Sequence, residues 1–231
     1  MRDRSVEPFL ASELGIVAVF ATLNVALSVY RGRPRESIFE CMKTITQDTG
    51  STLWTIDPIH TTVAFGVRHL LVTNVHGVFE RVSGTVRYDA AAPEATEIRV
   101  EIPAESVNTR APQRDAHLRS ADFFDAEKHP LITFQSTKVR STGEDSLDVV
   151  GTLSMRGVTR EVVLVVSGLA GVPADFNGQP RIGGSATATV KRSDFGMTFN
   201  KVLDAGGLAI ADEVQLRLDV SLQKAGVSAA A

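Results

Sequence analysis

The chain has 231 residues, 43% of them hydrophobic, with 24 Lys and Arg against 27 Asp and Glu for a formal net charge of -3. That is enough apolar material for one large or two small domains with a substantial core, and so even a charge balance excludes the broad positive field selected by a nucleic acid backbone or an anionic membrane surface. A single cysteine, Cys41, excludes an intrachain disulfide and any multi-cysteine metal site.

The first fifty residues differ in kind from the rest. Leu14 to Tyr30 reads "LGIVAVFATLNVALSVY", apolar but short for a membrane span and interrupted by Thr22, Asn24 and Ser28. As a signal peptide it has Arg2 and Arg4 in front and a weak small-residue site at Ala26-Leu27-Ser28, diluted by Asp3, Glu7 and Glu13. As an anchor it has Arg31, Arg33 and Arg35 on its C-terminal side, which would keep the main domain in the cytoplasm and bring residues 14–30 into contact with the membrane. The preferred reading is a helical or disordered extension. "KTITQDTGST" at 43–52 is polar and turn-prone, as a linker is. The expected organisation is an extension over 1–52, a domain over 53–225 and a disordered tail over 226–231, with a cytoplasmic location and membrane anchoring or export as the alternatives.

After the linker the dominant period is two, which puts alternate side chains on opposite faces of a sheet. In "VQLRLDVSL" at 214–222, Val214, Leu216, Leu218, Val220 and Leu222 share one face and Gln215, Arg217, Asp219 and Ser221 the other. Similar runs at 60–70, 76–88, 96–103, 131–139, 147–155, 161–169 and 181–191 predict about eight strands. Short turns such as "STGED" and "RGVTR" favour an antiparallel sandwich or an up-and-down barrel over a parallel sheet, whose crossovers are long. Gly66, Gly84, Gly151, Gly168, Gly184, Ala186 and Ala188 interrupt these runs, as bulges or as space left inside. With Phe65, Phe79, Phe134 and Phe195 supplying large apolar surface, the interior suits a long apolar molecule.

Six ordered stretches carry a resemblance to a known family: "WTIDPIHTTVAFGVRHL" at 54–70, "VHGVFERVSGTVRYD" at 75–89, "RDAHLRSADFFDAEKHPLITFQS" at 114–136, "GTLSMRGVTREV" at 151–162, "KRSDFGM" at 191–197 and "DEVQLRLDVSLQK" at 212–224. From Trp54 to about Ala225 the chain resembles the YceI-like family of polyisoprenoid-binding or lipid-binding proteins. The resemblance implies an all-β fold: an extended eight-stranded antiparallel lipocalin-like barrel with one short helix near it. It also implies a hydrophobic tunnel for an isoprenoid or other long-chain lipid, and a homodimer. Thr61 stands where the family often has serine, and the first fifty residues lie outside the resemblance.

Pro112 is placed for a helix start, and His117, Ala121 and Phe124 then share a face with Leu118 beside them. Asp115 and Arg119, four apart with the acid first, predict a solvent-facing pair worth about 0.3 kcal/mol. Catalysis with His117 as general base lacks a nucleophile elbow such as G-x-S-x-G, although Ser120 and Asp122 are near in sequence. A metal site drawing on His60, His69, His76, His117 or His129 lacks close i, i+4 histidine pairing. The preferred reading is a clasp over the barrel, with Arg114 and His117 meeting strand-end carbonyls or a ligand head group near an opening. In "RSDFG", Ser193 or Asp194 is expected to hold a turn, with Gly196 giving backbone freedom.

The expected ligand lining is Phe65, Val67, Phe79, Val86, Ile102, Phe134, Phe195 and Leu218, with His69, Leu118 and Phe124 beside it and Arg114 and His117 as polar contacts. No cofactor, metal or nucleic acid is expected. The alternatives are an enzyme acting on a hydrophobic ester or amide and a structural or stress-related barrel with a filled interior.

Overall fold

A computed structural model describes residues 51–88, 92–202 and 208–226. The expected signal, anchor or extension over 1–50 and nearly all of the expected tail lie outside the described residues. Eleven strand segments form one antiparallel sheet: β1 (Thr52–Ile56), β2 (Thr62–His69), β3 (Thr73–Phe79), β4 (Ser83–Tyr88), β5 (Glu97–Pro103), β6 (Val107–Asn108), β7 (Leu131–Gly143), β8 (Ser146–Met155), β9 (Val158–Val172), β10 (Arg181–Lys191) and β11 (Ile210–Lys224).

Three of the strands are broken. β1 and β2 both pair with the same edge of β11, at Ile56↔Leu222 and Val63↔Leu218, so they are two halves of one strand interrupted at 57–61. β4 pairs with β1 and β3 with β2, and β5 pairs with β4 and β6 with β3. Counting each broken pair once leaves an eight-stranded up-and-down barrel, closed where β11 meets β1 and β2. Closure removes the long sheet edges that an open sheet of this length would present, leaving only the short edge at β6.

The breaks are held by side chains that replace missing ladder bonds. At the first, the Asp57 N–H donates to the Ser221 carbonyl (2.8 Å) and the Ser221 N–H to the Thr61 Oγ1 (3.1 Å). The Thr61 hydroxyl thus does work that the backbone would do in an unbroken strand. Asp57, 5% exposed, also accepts from the Ile59 N–H (3.0 Å), lies 2.8 Å from the His60 Nδ1 and meets the Arg181 guanidinium, which bonds Asp175 on its other side (2.8 Å). Burial pushes the Asp57 carboxyl up, but the bonds to His60, Ile59 and Arg181 outweigh it and hold the carboxyl below the ordinary value.

One end of the barrel is filled. Trp54, Tyr88 and Ile182 are buried there against Val86 and Leu222. Val86, expected to line a ligand site, faces inward, as alternation requires, but it packs on Trp54 and does not border the cavity at the other end. At that other end β6 pairs only with β3, leaving a splayed wall between β6 and β7. The segment between these strands, containing helix α1 (Pro112–Arg119), follows from this end of the barrel.

Candidate functional site

The hollow end encloses a cavity of about 330 Å³, walled by alternate residues of eight strands, among them Phe65 and Val67 on β2, Phe79 on β3, Phe134 on β7, Val190 on β10, and Val214, Leu216 and Leu218 on β11. The register explains their convergence, because Phe65 is opposite Leu216, Val67 opposite Val214 and Phe134 opposite Leu153. Directly opposed residues of an antiparallel pair point to the same face. Glycines contribute differently from the expectation that they leave space. A Cβ at Gly77 would run into the Phe65 ring and one at Gly151 into the Phe134 ring, so these two seat aromatic side chains.

Helix α1 roofs the hollow, and its sequence explains how it is fastened. Pro112 sits in the first turn, where its missing N–H costs nothing, and Asp115 lies in the same turn. Asp115 is 6% exposed, and its carboxylate accepts from the Thr109 N–H (2.8 Å) and the Thr109 hydroxyl (2.5 Å). Arg114 donates to the same hydroxyl (2.7 Å) and to the Thr109 carbonyl (2.8 Å). Arg119 donates to the carbonyls of Glu105 (2.7 Å) and Val107 (2.9 Å). The solvent-facing Asp115–Arg119 pair expected from i, i+4 spacing therefore does not form. Both side chains turn back to the end of β6, where unpaired backbone groups offer stronger partners than an exposed ion pair.

His117 faces the cavity with its ring edge-on to Phe123 (5.0 Å between centroids) and Phe199 (4.8 Å), and its Nε2 lies 2.8 Å from the Asp122 carboxylate. A second aromatic row, Phe65, Phe79 and Phe124, continues the wall with 5.6 Å between successive rings. The Ser120 hydroxyl donates to the His117 backbone carbonyl (2.8 Å), which leaves it engaged away from the imidazole and unlike a nucleophile activated by that ring. No group of three or more His, Cys, Asp or Glu among the described residues is arranged to hold a metal ion.

Of the residues expected to line a ligand site, Phe65, Val67, His69, Phe79, Ile102, Arg114, His117, Leu118, Phe124, Phe134 and Leu218 border this one cavity. Val86 and Phe195 do not. Phe195 ends the short 3-10 helix Arg192–Phe195 and is 1% exposed, packed into the core behind the wall. The same turn holds a residue that sequence reasoning missed. Arg192, 7% exposed, borders the cavity and donates to the carbonyls of Met197 (2.6 Å), Phe199 (2.8 Å) and Ala211 (3.0 Å). Burial lowers its guanidinium from the ordinary value, with Asp212 opposing that shift. Ser193, whose N–H and hydroxyl both donate to Asp212 (3.0 and 2.7 Å), holds the turn, and Gly196 has the left-handed φ of 75°. The lining as a whole includes Arg114, Arg192, His69 and His117 and no carboxylate.

The architecture is that of an up-and-down β-barrel solid at one end and hollow at the other, a class of fold whose interior either fills with side chains or leaves room for one small molecule. Residues 54–222 match the model of the YceI-like domain, and the chain belongs to that family. It is 40% identical over 138 residues to a UPF0312 protein of Azotobacter vinelandii, covering 60% of this chain and 71% of the relative, and 41% identical over 145 residues to one of Pseudomonas savastanoi pv. phaseolicola, covering 60% and 71%. Among solved structures, the YceI protein of Campylobacter jejuni superposes with a TM-score of 0.56 at 31% identity, covering 68% of this chain and 89% of the other. A polyisoprenoid binding domain from Saccharophagus degradans shares the fold with a TM-score of 0.54 at 19% identity, covering 74% of this chain and 98% of the other.

Proposed function

We propose that the barrel binds one long-chain apolar molecule, isoprenoid or fatty-acyl in kind, for carriage, storage or sequestration. The observation that carries this reading is the cavity of about 330 Å³, walled almost wholly by aliphatic and aromatic side chains. Each buried methylene contributes about 0.8 kcal/mol, so a chain of modest length binds through area alone. The ligand's polar head lies toward Arg114 and His117, because these bring polar atoms to the cavity on the helix that roofs it. The name of the Saccharophagus degradans neighbour, a polyisoprenoid binding domain, points the same way.

Native mass spectrometry of the full chain tests the proposal. A co-purifying apolar mass of chain-lipid size is expected, and its loss on Leu218→Trp, which fills the cavity, would tie it to this site. Protein that is empty from several hosts and takes up no added palmitate or farnesol would refute the reading and favour a structural barrel. The family resemblance leads us to expect a homodimer, which light scattering checks. A cytoplasmic location remains our expectation for the chain, and cell fractionation checks it.

A further inference from the structure

The hollow end carries an exposed aliphatic cluster that the ligand cavity does not account for. The hairpin joining β2 to β3 turns through Leu70, Leu71 and Val72, which are 41%, 65% and 74% exposed. Beside it lie Val202 and Leu208, 79% and 52% exposed and bridged to each other. The two groups form one patch, since the Leu70 N–H donates to the Ala209 carbonyl (2.8 Å) and the Ala209 N–H to the Lys201 carbonyl (2.9 Å). Isolated exposed apolar residues need no explanation, but a contiguous group at one tip does.

The backbone holds this tip at a cost. Leu70 and Leu71 have φ of 52° and 60°, a left-handed region that glycine or asparagine would occupy with less strain. The Arg68 guanidinium braces the turn with two bonds to the Leu71 carbonyl, 3.2 Å from Nε and 2.9 Å from Nη2. From Pro58 to Phe79 the sequence contains Arg68 and three histidines but no Asp or Glu. Lys201, also exposed, adds a second cation at the base of the patch. The neighbouring His69 and Ile210 border the cavity, so the tip stands at its rim.

We propose that Leu70–Val72, Val202 and Leu208 form a bilayer-docking tip, inserting their side chains among the acyl chains of a phospholipid membrane while Arg68 and Lys201 meet its phosphates. Apolar side chains over a cationic base match the polarity gradient of a membrane interface, where long basic side chains reach up to the head groups. A second copy docked tip to tip would bring Arg68 and Lys201 against their own equivalents, like charges that a phosphate surface instead complements. The chain's near-neutral charge provides no long-range steering, so docking depends on contact more than on anionic lipid. If the cavity holds a lipid, as proposed above, the tip brings its rim to the membrane that supplies it. The docking itself does not require that reading.

The test uses the full chain with Val72→Trp, read against the buried native Trp54. With phosphatidylcholine vesicles the new indole is expected to shift its emission to shorter wavelength and to be quenched severalfold by lipids brominated on the acyl chain. Val165→Trp, on the exposed outer face of β9, is expected to stay unshifted. Because the probe reports its own surroundings, vesicle binding through residues 14–30 cannot mimic the result. Emission at Val72→Trp that matches buffer in the presence of bound vesicles overturns the proposal. So does a shift that depends on protein concentration without vesicles, which would assign the patch to a second copy. Uptake of palmitate measured without vesicles reads the cavity separately, so failure of either proposal leaves the other standing.

Discussion

At one end of the barrel Trp54, fully buried, fills the interior with Tyr88 and Ile182; at the other, side chains of similar chemistry surround a void of about 330 Å³. The difference lies in the closure of the wall. Around Trp54, β1 is paired on both edges, to β4 and to β11, and the ring is continuous and narrow enough for one indole. At the hollow end β6 pairs with β3 but not with β7, and α1 and its following loop bridge the gap. A helix over a splayed wall cannot interdigitate with the strands as a paired strand would, and the core side chains stop short of one another. Polar side chains hold both ends where strands break: Asp57, Arg181 and Asp175 at the filled end, Asp115, Arg114 and Arg192 at the hollow one.

Truncation should separate the two ends most. Trp54→Ala should cost about 3–5 kcal/mol, as removal of a fully buried aromatic does, whereas Leu216→Ala should cost only about 1–2, because Leu216 already faces a void and loses fewer contacts. Urea denaturation of both variants checks this, and equal costs would mean that the hollow end is as tightly packed as the other. Arg181→Gln should follow at roughly 2–4 kcal/mol, since it leaves the buried Asp57 carboxylate without its cation, an effect moderated by the partial exposure of Arg181.

The clasp that Arg181 makes with Asp57 and Asp175 fixes the acid limit. Asp175 is held below its ordinary value first by the Gln179 N–H and then by Arg181, and Asp57 is lowered as well. For carboxyls depressed in the folded state, the stabilisation is fully present above the unfolded value of about 3.9 and is lost as pH falls through the lower folded values. Stability of the native chain should therefore drop below about pH 4, and Arg181→Gln should show a shallower drop over that range. Parallel pH profiles for the two proteins would remove the clasp from the account.

Much of this could be read from the residues, and the failures share a cause. Period two in 214–222 assigned Val214, Leu216 and Leu218 to one face correctly, because that depends only on neighbours along the strand. Val86 and Phe195 face the interior, as alternation predicts, but both pack in the core away from the cavity wall. Alternation separates inside from outside but carries no information on height along the barrel axis. The strand breaks at 57–61, 80–82 and 104–106 were not visible, since inward-facing residues recur on both sides of each. β1, only five residues of a broken strand, is too short for period two to mark it. Arg192 and Asp115 were hidden more deeply. Their partners are backbone groups and Thr109, and neither a carbonyl nor a contact outside the helix leaves a mark in residue spacing.

The smallest effect on stability should be the most informative about the site. Val139, 3% exposed, packs in the core away from the cavity, and Val214 borders it. Val139→Phe should cost about 1–3 kcal/mol, because a ring forced into close-packed surroundings displaces its neighbours. Val214→Phe adds the same ring to open space and should change stability by less than about 1 kcal/mol, while uptake of an apolar fluorescent probe falls severalfold. The pair separates two properties that truncation confounds, since the conservative change in stability occurs at the position with the large change in binding. Equal destabilisation by the two phenylalanines would mean that the hollow closes in solution, and unchanged probe uptake in Val214→Phe would move the binding site out of the barrel.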